Sequence, residues 1–275
     1  MMLRVAVTRL SVSLLINALL FVGFTASPVA APDNVCSSVT LANQNQIDSF
    51  DQSCEIIDGY LKIDGGADGG NISDLSPLST VQTAHSLVIF NTTKLINLKG
   101  LEGLTSLSQC LLIQENPGLS SLTGLESLTS IGGSDLNYPT SQCSNLGLLV
   151  RWNPPLVDLD GLKNLTSVIG DLDLYNNDSM THVEGLGALQ NVTLDELAIW
   201  DNALLRDLDG LEGVVLTDTL YLRYNRRLSN VDGLRNLNAT SRSSTPGERF
   251  TIEENWDLGQ CEGLAPFFRW PGTYF

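Results

Sequence analysis

Histidine is almost missing from this 275-residue chain, which contains only His85 and His182. The two fall at different points of a repeat that organises the sequence, so they are not placed to act together. A histidine-based metal site or proton relay needs several such side chains converging on one point. We therefore expect no metal site, no cofactor and no catalytic histidine pair.

Basic residues are also scarce, with 15 Lys and Arg against 31 Asp and Glu. Without residues 1–31, which contain Arg4 and Arg9 and no acid, 13 basic residues remain and the net charge is −18. A chain this acidic repels the phosphate backbone of nucleic acids. Nucleic acid is therefore excluded as the expected partner.

Only one long apolar run occurs, and it lies at the N-terminus behind Arg4 and Arg9. Small residues follow it near 26–31, a pattern typical of a secretory signal peptide with cleavage between Ala26 and Ala31. An uncleaved N-terminal anchor is the alternative. We expect no transmembrane segment in the mature chain, which would be secreted or associated with the cell surface or cell wall.

A leucine pattern recurs along the rest of the chain. The stretch "LVIFNTTKLINLKGLEGL", residues 87–104, is followed by copies that begin at Leu111, Leu148, Leu172, Leu197 and Leu220. The period is about 24 residues, which is typical of leucine-rich solenoids. The sixth residues of the aligned copies are Gly66, Thr92, Asn116, Asn153, Asn177, Asn202, Asn225 and Asn255.

Each copy has a physical interpretation as one turn of a solenoid. The L-x-I segment is a short strand whose two apolar residues point inward, while the residue between them points to solvent. Later leucines fill the same core from a return limb, and turns must stack because no single turn can bury them. The Asn at the sixth position is expected to hydrogen-bond backbone groups of adjacent turns. The Gly before a return-limb Leu permits a tight or positive-φ turn. These glycines are Gly100, Gly124, Gly161, Gly185, Gly210 and Gly233.

The repeat predicts a β-rich solenoid of parallel strands with about eight rungs. Its domain organisation is a signal peptide at 1–31, an N-terminal disulfide cap at 32–59, the solenoid at 60–257 with an insertion at about 132–145, and a C-terminal cap and tail at 258–275.

Five cysteines occur in the chain. Cys36 and Cys54 lie just before the first rung, where a bridge would cap the open edge of the core. A second bridge between Cys110 and Cys143 would pin the insertion. Cys261 is left over, either buried or cross-linked to another chain, and the sequence by itself leaves the pairing open.

Six N-x-S/T sequons are consistent with export and glycosylation. Asn177 occupies the sixth position of its rung, so we expect it to be buried and unmodified. The expected glycosylation sites are Asn71, Asn91, Asn164, Asn191 and Asn238.

The mature chain resembles the receptor L domain. The resemblance is carried by "CSSVTLANQNQIDSFDQSCEIIDGYLKI" at 36–63, by "ISDLSPLSTVQTAHSLVIFNTTKL" at 72–95, and by "ENWDLGQC" at 254–261. This family includes the ligand-binding lobes of insulin and epidermal growth factor receptors, fungal cell-wall proteins and secreted leucine-rich proteins. The resemblance implies a right-handed β-helix-like solenoid with a role in recognition. The chain lacks a cysteine-rich module and a kinase, so a signalling function does not follow.

The outward strand positions are free of core packing and are the candidates for ligand binding. The residue after the second inward position gives the series Asp64, Phe90, Gln114, Arg151, Tyr175, Trp200, Arg223 and Glu253. Arg and aromatic residues dominate binding hot spots, and aromatic faces also suit sugar rings. The predicted ligand-binding residues are Arg151, Trp152, Tyr175, Trp200, Tyr221, Arg223 and Tyr224. Alternatively, these residues are ordinary strand surface.

Three classes of function compete. The leading one is a secreted, glycosylated recognition module that binds an extracellular protein or glycan without catalysis. The second is a structural scaffold of a cell wall or extracellular matrix, in which Cys261 cross-links chains. The third is a carbohydrate-active β-helix enzyme, which needs clustered carboxylates. Asp173 and Asp201 are the only close acidic pair that the alignment indicates.

Overall fold

The computed structural model describes residues 34–66, 70–133, 147–239 and 250–264. The predicted signal peptide, Cys143, most of the predicted insertion and the predicted tail after residue 264 lie outside the described residues. In the part that is described, no helix is long and apolar enough to cross a membrane.

The described residues form strands joined by short turns, with almost no helix. One α-helix, α1, spans Gln44–Asp48, and five 3₁₀ helices span Ser76–Leu78, Asp160–Leu162, Glu184–Leu186, Asp232–Leu234 and Glu262–Leu264. The strands are β1 (Val35–Leu41), β2 (Ile56–Asp64), β3 (Thr83–Phe90), β4 (Ser106–Gln114), β5 (Ser130–Ile131), β6 (Gly147–Arg151), β7 (Ser167–Val168), β8 (Gly170–Tyr175), β9 (Val192–Trp200), β10 (Val214–Arg223), β11 (Asn238–Ala239) and β12 (Phe250–Glu253).

All of these strands pair in parallel within one sheet. The main order is β1-β2-β3-β4-β6-β8-β9-β10, and β12 pairs with β10. Each strand from β2 onward in this series returns to the same side of the molecule after one circuit, so the described chain makes about seven turns. The predicted parallel β-solenoid is confirmed.

The core is continuous along the solenoid axis. Leu87 and Ile89 of β3 and the return-limb residues Leu98, Leu101 and Leu104 are all fully buried. Burial of each such side chain contributes roughly 1.5–3 kcal/mol relative to exposure, before entropy costs. The inward positions and the stacked return limbs are therefore as the repeat predicts.

Close stacking explains the recurrent glycines. Gly100, Gly124 and Gly210 adopt positive φ, whereas Gly161 is the middle residue of a three-residue 3₁₀ helix and does not. A Cβ on Gly161 would lie 2.1 Å from the carbonyl oxygen of Leu122 on the preceding turn. The requirement is thus for close backbone approach between turns as well as for positive φ.

A ladder of buried asparagines connects the turns, as predicted. In each pair of neighbouring turns the Oδ1 of the later Asn accepts from the backbone N–H of the earlier ladder residue. Its Nδ2 donates to a strand carbonyl of the preceding turn, as Asn177 does to Val150 at 2.9 Å. The ladder residues are Thr92, Asn116, Asn153, Asn177, Asn202, Asn225 and Asn255. These bonds satisfy backbone groups that would otherwise be buried without partners.

The N-terminal edge of the core is closed by β1 and α1. The predicted Cys36–Cys54 disulfide is present, with a Cα–Cα distance of 5.8 Å. Asn43 caps α1 by accepting from the backbone N–H of Gln46, and Ile47 is fully buried. The bridge and the helix together cover the first turn.

The outer face of the sheet departs from the expected alternation. Val88, Leu112 and Leu149 occupy successive outward positions in register on β3, β4 and β6, and all three are buried. They form a second, small apolar cluster with Cys110, and Phe90 packs against it. The expectation that the residue between the inward positions points to solvent is therefore wrong for these turns. Adjacent apolar side chains on neighbouring strands pack together there.

The two remaining cysteine predictions have different outcomes. Cys110 is disulfide-bonded, and Cys143, its predicted partner, lies outside the described residues. Cys261 is a free thiol and is partly buried against the core.

Candidate functional site

The predicted outward series lies on one line across the sheet. Register pairs join Arg151 to Tyr175, Tyr175 to Trp200 and Trp200 to Arg223, and the same line continues to Asp64 at one end and Glu253 at the other. Neighbouring strands in a sheet are about 4.8 Å apart, so these side chains are near enough to touch.

The central residues do touch. The Arg151 Nη1 donates a 2.6 Å hydrogen bond to the Tyr175 hydroxyl, and the Arg151 guanidinium lies 5.4 Å from the Tyr175 ring centroid. The Tyr175 and Trp200 ring centroids are 4.6 Å apart with their planes tilted by 30°. We call Arg151, Tyr175, Trp200 and Arg223 the aromatic–arginine ribbon.

Two exposed aromatic residues flank the ribbon. Trp152 meets Tyr175 edge to face, with ring centroids 5.1 Å apart, and Tyr224 lies 5.3 Å from the Arg223 guanidinium. Their exposed fractions are 41% and 37%, whereas Tyr175 is only 7% exposed. Tyr175 is thus mostly covered by its neighbours, and these neighbours supply the accessible surface of the ribbon.

Left-handed backbone positions place these flanking residues. Trp152 and Tyr224 have φ of 54° and 57°, and Asn91, Glu115 and Asp201 adopt similar angles at the same point of their turns. This position comes directly before the ladder residue, where the chain leaves the strand. Non-glycine residues rarely adopt this conformation, so sequence reasoning did not identify it. This left-handed position can nevertheless be located in the sequence, because it directly precedes the ladder residue of each turn.

A carboxyl cluster adjoins the ribbon and was also missed. Asp171 and Asp173 point outward from β8, Glu196 points outward from β9, and both Asp residues are buried. Burial raises the pKa of Asp173 to about 7, with further increases from Glu196 and Asp171 and a partly opposing effect of Arg151. Burial and Asp171 also raise the pKa of Glu196.

This cluster shows that the expectation of Asp173 and Asp201 as the only close acidic pair is wrong. Asp171 and Glu196 are the carboxyl groups whose charges raise the pKa of Asp173. Among the described residues, no donor reaches Asp173 Oδ1. The cluster was missed because Asp171 and Glu196 precede the L-x-I segment, and the register between β8 and β9 shifts just there.

A cavity of about 280 Å³ opens beside the ribbon, lined by Glu196, Trp200, Tyr221 and Arg223. Arg223 also forms a salt bridge with Glu253 on β12. Aromatic, acidic and basic groups therefore line one small opening on the outer face.

A larger cavity of about 480 Å³ lies over the first halves of β2, β3 and β4. Asp58, His85 and Ser108 line it, and His85 Nε2 lies 3.5 Å from Asp58 Oδ1. Within the described ranges Ser108 Oγ has no hydrogen-bond partner, so no connected Ser–His–Asp relay is formed. His182 lies on a return limb, distant in the chain from this group.

Metal-ligand geometry is not found in the part of the chain that the structure describes, where no three His, Cys, Asp or Glu side chains could hold one ion. The carboxyl cluster accordingly has no metal-binding arrangement.

The sequons occupy different environments. Asn177 is fully buried, as predicted, whereas Asn71, Asn164, Asn191 and Asn238 are exposed. Asn91 is half-buried, and its Nδ2 donates to the carbonyl oxygen of Gly66.

Protein-family models and curated proteins both give no match to this chain.

Proposed function

We propose that this chain is a secreted, glycosylated recognition module that binds an extracellular protein or glycan through the aromatic–arginine ribbon. The observation that carries the proposal is the unbroken contact from Arg151 through Tyr175 to Trp200, flanked by exposed Trp152 and Tyr224. The proposed function involves no catalysis.

The physical support is preorganisation. Arg, Tyr and Trp are the residue types that contribute most to binding hot spots, and rigid side chains lose little entropy when a ligand binds. Tyr175 is buried and holds Arg151 and Trp200 in place. A ligand therefore meets a surface that is already ordered.

We further propose that the solenoid is leucine-rich, right-handed and receptor L-domain-like. The parallel strands, the Asn ladder and the Cys36–Cys54 cap support this assignment. Disulfide bonds persist mainly in oxidising compartments, which supports secretion or exposure at the cell surface. Four exposed sequons support glycosylation.

The test is capture of ligands from a surface extract of the source organism by the purified, glycosylated protein. The variant carries Arg151→Ala, Trp152→Ala, Trp200→Ala and Arg223→Ala, which leaves buried Tyr175 in place. The matched control carries Gln114→Ala and Thr251→Ala, also on the outer face. A ligand that is retained by wild type and the control but lost by the ribbon variant supports the proposal. Equal retention by all three contradicts it.

Two alternatives have distinct expectations. A cell-wall or matrix scaffold would depend on cross-linking through the free thiol of Cys261 and not on the ribbon. A carbohydrate-active enzyme would depend on the carboxyl cluster, because Asp173 has the elevated pKa of a general acid. Sugar release that is lost in Asp173→Asn and Glu196→Gln but retained in Asp201→Asn would favour the enzyme.

A further inference from the structure

The cavity beside the ribbon owes its opening to a small residue. Glu196, Ala198 and Trp200 alternate along the outer face of β9, and Ala198 pairs in register with Tyr221 of β10. Ala198 carries only a methyl group, so the larger side chains around it rise above a depression. Glu196, Trp200, Tyr221 and Arg223 form the walls of the resulting space of about 280 Å³.

The four walls offer complementary chemistry. Glu196 supplies acceptor oxygens, Arg223 supplies N–H donors, and Trp200 and Tyr221 supply aromatic surface. A pyranose ring presents the matching groups, since its hydroxyls both donate and accept and its C–H bonds form an apolar face. Pockets for drug-sized ligands occupy about 300–1,000 Å³, so this smaller cavity suits a single ring.

The surrounding charges select against acidic ligands. Asp171 and Asp173 adjoin Glu196 on the side of β8, while the positive charge of Arg223 is already paired with Glu253. Arg151 is the remaining cation near Asp173, and it donates to the Tyr175 hydroxyl. A carboxylate or sulfate in the cavity would meet excess negative charge, and like charges at close range are repelled.

We propose that the cavity lined by Glu196, Trp200, Tyr221 and Arg223 is a subsite for one uncharged pyranose ring of a polysaccharide. This inference rests on the proposed recognition function and narrows its ligand to a neutral glycan. The rest of the ribbon, Tyr175 and Arg151 on the two preceding strands, then contacts the next ring on that side, because neighbouring strands are about 4.8 Å apart.

The test measures binding of defined oligosaccharides to the full mature protein by titration calorimetry. The neutral probes are oligosaccharides of glucose and of mannose, and the acidic probes are oligosaccharides of galacturonic acid and of sulfated hexose. We expect wild type to bind at least one neutral series, and Trp200→Ala to weaken that binding about ten-fold or more, as loss of an aromatic anchor does. Lys99→Ala, an exposed position on a return limb, is the control and should bind as wild type does.

A second variant tests the charge argument without removing aromatic surface. Glu196→Gln keeps the shape of the side chain and removes its charge. It should therefore reduce the ratio of the affinity for neutral probes to the affinity for galacturonic acid probes. Thermal unfolding of each variant checks that the fold is retained. If the acidic probes bind as tightly as the neutral ones, or if Trp200→Ala leaves neutral binding unchanged, the subsite assignment is overturned.

Failure of this inference is distinguishable from failure of the proposed function. A ribbon-dependent protein ligand from the surface extract, together with no binding of any oligosaccharide, would overturn the subsite and leave the recognition function standing. No ribbon-dependent ligand of either kind would overturn both.

Discussion

Arg151 on β6 donates a hydrogen bond of 2.6 Å to the hydroxyl of Tyr175 on β8, one full turn of the solenoid later. The residues are 24 positions apart in sequence but occupy paired positions in the sheet. Because Tyr175 also packs against Trp152 and Trp200, this bond connects Arg151, at one end of the ribbon, to the aromatic residues at its centre.

Removing this hydroxyl should destabilise the ribbon while leaving the aromatic ring in place. In Tyr175→Phe the ring remains and the bond to Arg151 is lost, which we expect to cost about 1–2 kcal/mol of unfolding free energy because the donor is charged and partly buried. Urea denaturation measures the loss, and Tyr221→Phe on the same face is the comparison. Equal stability of Tyr175→Phe and wild type would mean that water replaces the lost partner.

The ladder asparagines should be far more sensitive than exposed asparagines. Asn177→Ala leaves the backbone N–H of Asn153 and the carbonyl of Val150 without their partners. Each unsatisfied buried group costs roughly 1–3 kcal/mol, so we expect a loss of several kcal/mol in denaturant unfolding. Asn164→Ala, at an exposed sequon, is the control.

Asn177 and Asn164 should also differ in glycosylation. Mass spectrometry of proteolytic peptides should find Asn177 unmodified because it is fully buried, while the exposed Asn164 is accessible to modification. A glycan on Asn177 would contradict its place in the ladder.

Asp173 should make stability depend on pH in a defined direction. Its pKa rises from 3.8 to about 7 in the folded chain, chiefly by burial, so the folded state holds a proton that the unfolded state releases. Its stabilising contribution is therefore complete below about pH 4 and is lost as pH rises through about 7. Asp173→Asn should be more stable than wild type above pH 7, by on the order of 3 kcal/mol, and similar to it near pH 4.

Denaturation at a series of pH values measures this difference. The control is Asp195→Asn, which removes an exposed acid on β9. A constant difference between Asp173→Asn and wild type from pH 4 to 8 would show that Asp173 does not titrate in this range.

The N-terminal disulfide should account for a measurable share of stability. Replacing both Cys36 and Cys54 by Ser removes a bridge that closes a loop with a sequence separation of 18. The chain-entropy relation gives a loss of about 3 kcal/mol, measured by denaturation under non-reducing conditions. Cys261→Ser is the control, because that thiol forms no bond in the structure. A smaller loss would mean that α1 and β1 hold the cap without the bridge.

Much of this arrangement could be predicted because one period governs the chain. Aligning the turns on the ladder position fixes which residues pair across strands, so the sequence alone predicts Arg151, Tyr175, Trp200 and Arg223 as one row. The ladder bonds of Asn177 followed from its place where the strand ends. Such predictions need only register, which the repeat supplies.

Features that depend on neighbours outside the strict repeat could not be predicted. Val88 and Leu149 occupy outward positions by alternation, and both pack into one apolar cluster with Leu112, which lies between them in the sheet. Glu196 and Asp171 lie before the aligned segment, beyond a register shift, so their proximity to Asp173 depends on the local bend of the strands. The low exposure of Tyr175 similarly depends on how Trp152 folds over it.

The asparagine ladder also determines which insertions and deletions the chain can tolerate. Every amide faces the same way, accepting from the turn before it and, through its own backbone N–H, donating to the turn after it. A complete extra turn that brings its own Asn would join this chain of bonds. An insertion between two ladder residues also leaves their bond in place, since Asn116 and Asn153 are 37 residues apart and still hydrogen-bonded. Gene duplications that add whole turns beyond β10 would lengthen the ribbon, but one inserted between β9 and β10 would separate Trp200 from Arg223 and abolish the cavity. The same fold can thus acquire a new binding surface in a single duplication, because each turn of a solenoid contacts only its neighbours.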